Sequence, residues 1–217
     1  MAAPLDATPP ARPRRADAQR SITAIVEAAR VVLGERPDAS MEDLAGAAGV
    51  TRQTVYAHFP SRDALIAAVF DAAVAEGLAA IEAANLDAAP PLVAIACFLD
   101  ISWQLLRRYP LLLDPTFARI RGSDGHDPHR AVTGFLERLV RRGQRSGDFD
   151  RGLPATWLVA ATLTLGHAAA DEIATGRLTT ARAGRVLEDS VVRLYGIDRT
   201  RFRSATVNAC PAVRLLG

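Results

Sequence analysis

The sequence predicts an all-α protein. Apolar residues recur at intervals of three and four along most of the 217 residues, which is the spacing of helices with one buried face. Glycine and proline interrupt these stretches at intervals typical of helix ends. No stretch of any length shows the alternation of apolar and polar residues that indicates a strand. These observations favour a helical bundle, and the chain is long enough for one or two compact domains.

The first elements in chain order are an arm and a helix. Residues 1–16 predict a disordered arm, because they are rich in proline and have no periodic apolar pattern. The first helix is expected from about Asp17 to Leu33, where apolar residues form one stripe. Gly34 and Pro37 follow, and both are typical of the end of a helix.

Two short helices joined by a tight turn are predicted next. Ser40 is a natural N-cap, and Asp43 three residues later can complete a capping box. Gly49 stands where the first short helix needs a left-handed residue, and the small Ala45 lets the second helix cross closely. Thr51 then caps the second short helix. This spacing predicts a helix-turn-helix, a motif whose second helix enters the major groove of DNA.

The outward side of that second helix carries side chains suited to DNA. Arginine can form two hydrogen bonds to guanine, and glutamine can form two to adenine. Threonine reaches a phosphate or a thymine methyl group, and tyrosine and histidine donate to phosphate oxygens. The residues predicted to face outward are Arg52, Gln53, Thr54, Tyr56, Ala57 and His58.

The segment from Val50 to Leu65, with the glycine before it, resembles the signature of the tetracycline-repressor (TetR) family of bacterial transcriptional regulators. That signature reads G-V-T-x-x-x-x-Y-x-H-F-x-x-[KR]-x-x-L. The Tyr-x-His-Phe sequence, the Ser-Arg-Asp-Ala-Leu sequence that follows it and the total length all agree with the family. The resemblance implies a homodimeric repressor that binds double-stranded operator DNA of palindromic sequence. It also implies that a small hydrophobic ligand, bound in a larger C-terminal helical domain, releases the protein from that operator.

The resemblance assigns DNA contacts by position. Ser40 matches a hydroxyl residue that donates to a phosphate, and Arg62 stands where the family usually has lysine, with the charge retained. Gln53 and Thr54 replace the glycine or proline of many members, so the base preference cannot be copied. Ala57 offers no side-chain hydrogen bond. The predicted DNA-binding residues are Ser40, Thr51, Arg52, Gln53, Thr54, Tyr56, His58 and Arg62.

Positive charge is concentrated locally. All 26 basic residues are arginine. The net charge is only +2, which does not indicate a protein that binds polyanions in general. Four arginines lie in or beside the N-terminal arm, with Asp17 as the acid among them: Arg12, Arg14, Arg15 and Arg20. Two interpretations stay open, a solubilising tail and a contact to phosphates or the minor groove.

A long helix is predicted from about Arg62 to Ala84, and it exceeds what a DNA-binding unit needs. On the resemblance it leads into the second domain, so we place the boundary near Ala75. This gives a DNA-binding domain over 17–75 and a ligand-binding and dimerisation domain over 76–197.

The second domain is also predicted to be helical. Its expected helices cover about 92–108, 115–120, 129–146, 154–175 and 180–195, with a turn-rich insert at 121–128. The tail over 198–217 has mixed character and receives no role.

The predicted helix over 154–175 indicates a partner subunit. Small residues and leucine cover most of its circumference, so it should be buried on more than one side. The resemblance implies that the last two long helices of each protomer form an antiparallel four-helix bundle. The interface or adjacent-core candidates are Trp157, Leu158, Ala161, Leu165, Ala168, Leu187, Val191 and Leu194. The alternative for Trp157 is a place in the core of its own chain.

The predicted helix over 92–108 is apolar nearly all round, which indicates burial on all sides. With its neighbours it carries more large apolar residues than a filled core requires, and this favours a ligand cavity. The candidate lining residues are Phe98, Ile101, Trp103, Leu105, Phe117, Phe135, Leu163 and His167. An ordinary filled core is the alternative, and a hydrogen-bonded pair with Asp171 at the dimer seam is the alternative for His167.

Other functions are disfavoured by what the sequence lacks. Cys97 and Cys210 are too far apart for a metal site, and His126 and His129 have no clustered ligands beside them. We find no nucleophile with a local base, no phosphate-cradling glycine loop and no paired catalytic carboxylates, so we expect no enzyme and no cofactor.

The expected location is the cytoplasm. The N-terminus has no apolar core of a signal peptide, and no uninterrupted apolar run approaches the ~20 residues of a membrane span. Two rival interpretations of the whole chain stay open. One is an architectural or activating DNA-binding protein with the same motif, and the other is a helical ligand-binding or enzyme domain with an accidental helix-turn-helix resemblance.

Overall fold

A computed structural model describes residues 12–113 and 130–206 of the chain. Within these ranges the chain forms nine α-helices, one short 3-10 helix and no strand, so the all-α prediction is confirmed. The chain divides into two compact units after Val69. This division and the boundary that we placed near Ala75 both lie inside the same helix.

The helix bounds follow the predicted pattern closely. In chain order the helices are α1 (Arg12–Glu35), α2 (Met41–Ala47), α3 (Arg52–His58), α4 (Arg62–Ala83), α5 (Pro91–Arg108), a 3-10 helix (Pro110–Leu113), α6 (Arg130–Ser146), α7 (Ala155–Ala174), α8 (Thr180–Leu194) and α9 (Arg199–Thr206).

Helix α1 begins earlier than predicted. It starts at Arg12, whereas we expected a disordered arm through residue 16 and a helix from Asp17. The reason is that Pro13 lies in the first turn, where its missing N–H has no helical partner to lose. Arg20 forms an ion pair with Asp17 on the exposed side of this helix. Residues 1–11 lie outside the described ranges.

Helix α9 was not predicted, and it forms because tertiary contacts supplement a weak local signal. The carboxylate of Asp198 accepts a hydrogen bond of 2.8 Å from the amide of Arg201, which begins the helix. Phe202 is buried, and α9 packs on α5. The predicted short helix over 115–120 and the insert at 121–128 lie outside the described residues.

The first unit has a core to which each of its first three helices contributes. Helix α1 contributes Ile25 and Leu33, α2 contributes Leu44 and α3 contributes Val55, and all four side chains are fully buried. Each lies at a position that its helical spacing predicts to face inward. The core therefore holds α3 by its inner side and leaves its other side exposed.

The second unit is held by packing of α5 to α9 and by one buried polar pair. The hydroxyl of Thr162 donates to the carbonyl of Leu158 at 2.8 Å, so it accepts from the Tyr195 hydroxyl at 2.9 Å. Phe149 packs edge-on against the Tyr195 ring, with centroids 5.1 Å apart. Burial raises the pKa of Tyr195 to about 12, so its phenol remains a donor at neutral pH.

By length and composition, α4 is the one helix of the described ranges that could cross a membrane, with 22 residues and a mean hydropathy of 1.9. This differs from our expectation, because only Asp71 and Glu76 interrupt its long central run of apolar residues. A core helix passes the same test, and Leu65 and Val69 in α4 are fully buried. Of the apolar 18-residue window in α4, 39% is buried in this structure.

Two glycines of α6 provide a matched test of the second core. A Cβ added at Gly143 would lie 2.7 Å from Cγ of the buried Phe149, so Gly143→Ala should lower the free energy of unfolding by about 1–3 kcal/mol. A Cβ at Gly134 would meet only Arg138, at 3.7 Å, so Gly134→Ala should be neutral or stabilise by up to about 1 kcal/mol. Denaturant unfolding of the two variants measures the difference, and equal effects would contradict the packing described.

Candidate nucleic-acid interface

The start of α2 is fixed by a complete capping box. The Asp43 amide donates to the Ser40 hydroxyl at 3.2 Å, and the Ser40 amide donates to the Asp43 carboxylate at 2.9 Å. These bonds, and one of 2.6 Å from the Ser40 hydroxyl, hold the pKa of Asp43 below its ordinary value. The carboxylate is therefore ionised and the cap intact when the pH is above the ordinary pKa of an aspartate. The cap is lost when the carboxylate is protonated, as the pH falls through the lowered pKa. The predicted role of Asp43 is confirmed.

The turn between α2 and α3 depends on one left-handed residue. Gly49 has φ of +66°, which a residue with a Cβ adopts only at a steric cost. This conformation lets the Val50 amide donate to the Ala45 carbonyl at 3.0 Å, and the chain reverses there. Ala45 is buried, in agreement with the close crossing that its small size predicts.

Helix α3 is capped at its start and anchored at its centre and end. The Thr51 hydroxyl accepts a hydrogen bond of 3.1 Å from the Thr54 amide and lies 2.8 Å from the Thr54 hydroxyl. Val55 and Phe59 are buried on the inner side. With seven residues, this helix makes few internal hydrogen bonds, so the cap and the two apolar anchors determine its position.

The predicted DNA-reading residues lie together on the outer side of α3. Arg52, Gln53 and Ala57 are exposed, and Tyr56 is 41% exposed despite its size. His58 is half-buried at the end of the helix, with its ring against Phe59. No ionisable side chain of opposite charge covers the group in the described ranges, so its donors face solvent.

One contact within this surface orders the arginine. The Arg52 guanidinium lies 5.4 Å from the centre of the Tyr56 ring, one helical turn away, in cation–π geometry. The ring therefore limits the conformations of a long side chain that would otherwise sample many. Sequence spacing of four residues on a helix contains this signal, but we had assigned Tyr56 only to phosphate.

Arg62 has a different environment from the one predicted. Its guanidinium donates to the carbonyls of Pro37 and Ala39, the second at 3.5 Å, and its side chain is half-buried. The first residue of α4 thus holds the loop before α2 in place. The contact joins residues 23 and 25 positions apart, so no local sequence signal could have indicated it.

The residues predicted at a dimer interface divide into two groups. Trp157 is 60% exposed and Ala168 is exposed, while Ala161, Leu165 and Leu194 are half-buried. Leu158, Leu187 and Val191 are buried in their own protomer, because they face the core between α7 and α8. Two exposed apolar residues that we did not list accompany Trp157, namely Leu153 and Val186, at 37% and 42% exposure.

The residues predicted to line a cavity also separate. Phe98, Ile101 and Phe135 are buried in a packed core, where the rings of the two phenylalanines lie 5.9 Å apart. Leu105 and Leu163 are partly buried, His167 is exposed on the same helix as the exposed Asp171, and Phe117 lies outside the described residues.

A cavity of about 520 Å³ lies next to this core. It is bounded by the C-terminal part of α5, the C-terminal part of α7 and the first residues of α8. Trp103 is the member of the predicted set that lines it. The other described lining residues are Leu106, Arg107, Pro110, Ile173, Thr180 and Ala181.

Comparison with known proteins agrees with this architecture. The family model described as "Bacterial regulatory proteins, tetR family" matches residues 25–69, which contain α2, α3 and the start of α4. The chain is 43% identical over 51 residues to the HTH-type transcriptional repressor LfrR of Mycolicibacterium smegmatis, covering 24% of this chain and 27% of LfrR. It is 28% identical over 170 residues to the HTH-type transcriptional regulator NfxB of Pseudomonas aeruginosa, covering 76% of this chain and 88% of NfxB.

Solved structures share the whole fold at low sequence identity. The structure of RolR in complex with resorcinol superposes with a TM-score of 0.65 and 16% identity, over 91% of this chain and 98% of RolR. LfrR from Mycobacterium smegmatis in complex with proflavine superposes with a TM-score of 0.56 and 24% identity, over 81% of this chain and 94% of LfrR. The family match falls on the helix-turn-helix region of the chain, and together with the similarity to LfrR and NfxB it supports a DNA-binding transcriptional regulator of the TetR type.

The contacts of Arg62 predict how its loss affects DNA binding. Because its donors are engaged with the carbonyls of Pro37 and Ala39, Arg62→Ala should weaken binding to all DNA by displacing the loop before α2. The slope of log affinity against log salt should then be unchanged, and the melting temperature should fall. Fluorescence anisotropy across a salt series measures the slope. A slope shallower by about 0.9 would show instead that Arg62 neutralises one phosphate.

Proposed function

We propose that this regulator represses transcription by binding a two-fold symmetric operator as a homodimer, and that a small hydrophobic ligand releases it. The observation that carries the proposal is the exposed surface of α3, on which Arg52, Gln53 and Tyr56 project from a helix held by caps and core residues. The proposal also places the protein in the cytoplasm, together with the DNA that it would bind.

The side chains of α3 suit both kinds of DNA contact. Arg52 can donate two hydrogen bonds to a guanine, and Gln53 can pair in the same way with an adenine. Tyr56 and His58 offer donors to phosphate oxygens at the edge of the groove. Ala57 can only approach a thymine methyl group, so few direct base contacts are available to one protomer.

The size of α3 requires a second reading surface. Seven residues make a helix roughly 10 Å long, which spans about three base pairs. One copy therefore reads too little sequence for specific recognition, whereas two copies related by two-fold symmetry double the site. Their half-sites should be about 34–36 Å apart or somewhat wider.

The exposed apolar surface of α7 and α8 supports a second copy of the chain as the dimer partner. Trp157 of α7, Val186 of α8 and Leu153 just before α7 leave large apolar side chains in water, and exposed apolar patches mark interaction surfaces. Small exposed residues of α7, such as Ala168 about three turns after Trp157, allow close approach of a partner helix. The same helices form the dimer bundle implied by the family resemblance.

The cavity of the second unit supports the ligand part of the proposal. Its volume of about 520 Å³ lies in the range that small-molecule sites occupy, and most of its described lining is apolar. Resorcinol and proflavine occupy the RolR and LfrR structures, which share this fold. A ligand in this chain would bind beside the packed phenylalanine core rather than within it.

A hydrogen-bonded cluster connects the cavity wall to α4. The Tyr109 hydroxyl donates to the Glu76 carboxylate at 2.6 Å, and the Arg108 guanidinium lies 3.2 Å from the same carboxylate. These two residues stand between Arg107 and Pro110, which both line the cavity. Because Glu76 is part of α4, a ligand that shifts this segment acts on the helix that continues into the DNA-binding unit. A coupling of about 1–3 kcal/mol is typical of such linkage.

DNA binding itself is tested by gel shift with the intergenic DNA upstream of the gene. Arg52→Ala should reduce affinity for the bound fragment by about 1–3 kcal/mol and leave affinity for random DNA nearly unchanged, because the guanidinium reads a base. Arg145→Ala, an exposed arginine of the second unit, is the matched control and should bind normally. Failure to bind any upstream fragment favours the rival helical domain, and equal loss on both DNAs would show that Arg52 only positions the protein.

Light scattering tests the dimer. Trp157→Glu and Leu165→Glu should give folded monomers, because each would place an unpaired charge in the interface. Val191→Glu should instead unfold the protomer, since Val191 is fully buried within it. Ala131→Glu, at an exposed site of α6, should remain dimeric. A stable wild-type monomer at micromolar concentration would refute the premise, and intact dimers of both interface variants would place the interface elsewhere.

Loss of one hydroxyl tests the coupling through α4. Tyr109→Phe removes the hydrogen bond to Glu76, so a lipophilic compound identified by thermal shift should still bind but release less DNA. Tyr195→Phe also loses a buried hydroxyl, the donor to Thr162, and should release DNA normally despite lower stability. The ratio of operator affinities with and without compound is the measured quantity. An unchanged ratio in Tyr109→Phe would exclude this route.

A further inference from the structure

We infer that the effector of this protein is an amphipathic anion, whose acidic group binds Arg107 while its apolar part packs against Trp103. This inference rests on the proposed function, because it names the chemical class of the ligand that the cavity would hold. It adds an acidic group to the mainly hydrophobic ligand that the sequence suggested.

The described lining of the cavity is mainly apolar and includes one basic residue. Five of its seven described lining residues present carbon surface, namely Trp103, Leu106, Pro110, Ile173 and Ala181. The polar groups are Arg107 and Thr180, and none of the described lining residues is acidic. A wall of this kind accepts a mainly apolar molecule with one anionic end, because arginine donates paired hydrogen bonds to carboxylate, sulfonate or phosphate oxygens.

The charged groups around Arg107 also favour an anion. Its neighbour Arg108 is paired with Glu76, whereas Arg107 forms no ion pair within the described ranges. Thr180, across the cavity, is the first residue of α8, where the positive end of the helix dipole also favours an anion. Among the described residues, the cavity therefore has a positive polar end without a carboxylate to neutralise it.

The indole of Trp103 is held against α8. A Cβ added at Gly184 would lie 2.8 Å from Cε2 and 2.9 Å from Nε1 of the Trp103 indole, so the ring packs directly on the backbone of α8. Glycine at this position gives the ring room to form a fixed wall of the cavity. A flat wall of this size suits an aromatic or alicyclic body.

Two dyes with the same ring system provide the test. The full-length protein is titrated with 8-anilinonaphthalene-1-sulfonate, an anion, and with N-phenyl-1-naphthylamine, its neutral counterpart. The anion should bind at least about tenfold more tightly, because hydrogen bonds to a charged group add to the shared apolar contact. Energy transfer is measured in a Trp157→Phe background, where Trp103 is the remaining tryptophan, and Trp103→Phe in that background should remove the transfer while retaining an aromatic wall.

Arg107→Gln should abolish the preference for the sulfonate while leaving the neutral dye's affinity nearly unchanged. Arg185→Gln, at an exposed site of the same unit outside the cavity, is the matched control and should retain the preference. Gly184→Ala should weaken both dyes by displacing the indole. In the wild type the sulfonate should also lower affinity for the bound DNA fragment, and this effect should be absent in Arg107→Gln.

The outcomes separate this inference from the function on which it rests. Equal binding of the two dyes, or a sulfonate preference that survives in Arg107→Gln, overturns the anionic effector. If the neutral dye alone binds near Trp103 and releases DNA, the ligand-released repressor stands and the anionic class is refuted. If neither dye transfers energy from Trp103, the cavity is not the ligand site and both proposals for it fail.

Discussion

The left-handed backbone at Gly49 is the constraint on which the DNA-reading surface depends. It turns the chain so that the Val50 amide reaches the Ala45 carbonyl, and α3 then begins at Arg52, after its N-cap Thr51. No atom within 4 Å would obstruct a Cβ at Gly49, so the requirement for glycine is purely conformational. Because α3 is too short to be stable alone, its orientation follows from this turn and from the buried Val55.

Side-chain hydrogen bonds around that turn hold the two short helices and the loop before them in place. Ser40 and Asp43 fix the start of α2, and Arg62 ties the preceding loop to α4. The exposed residues of α3 are thus presented by a frame whose polar groups are already engaged. Arg52, ordered by the Tyr56 ring, would lose less conformational entropy on binding than a free arginine.

The second unit shows how a surplus of apolar residues is divided among three uses. Phe98 and Phe135 fill the core, Trp157 stays exposed where a partner can cover it, and Trp103 forms a cavity wall. All three uses share helical spacing and apolar chemistry, so periodicity alone does not distinguish them. Distinction comes from which neighbours cover each side chain, as Gly184 does by lying against Trp103.

The sequence by itself determined the described α-helices other than α9, the caps of α2 and α3 and the outer side of α3, because these depend on neighbours within about four residues. Ser40, Gly49 and Thr51 carry that information locally, and their roles followed from residue type and spacing. Only the tertiary structure decided that Arg62 binds distant carbonyls, that Val191 lies within its own protomer and that Arg107 lines the cavity. Those roles depend on residues far apart in the chain, and local patterns contain no record of which distant surfaces meet.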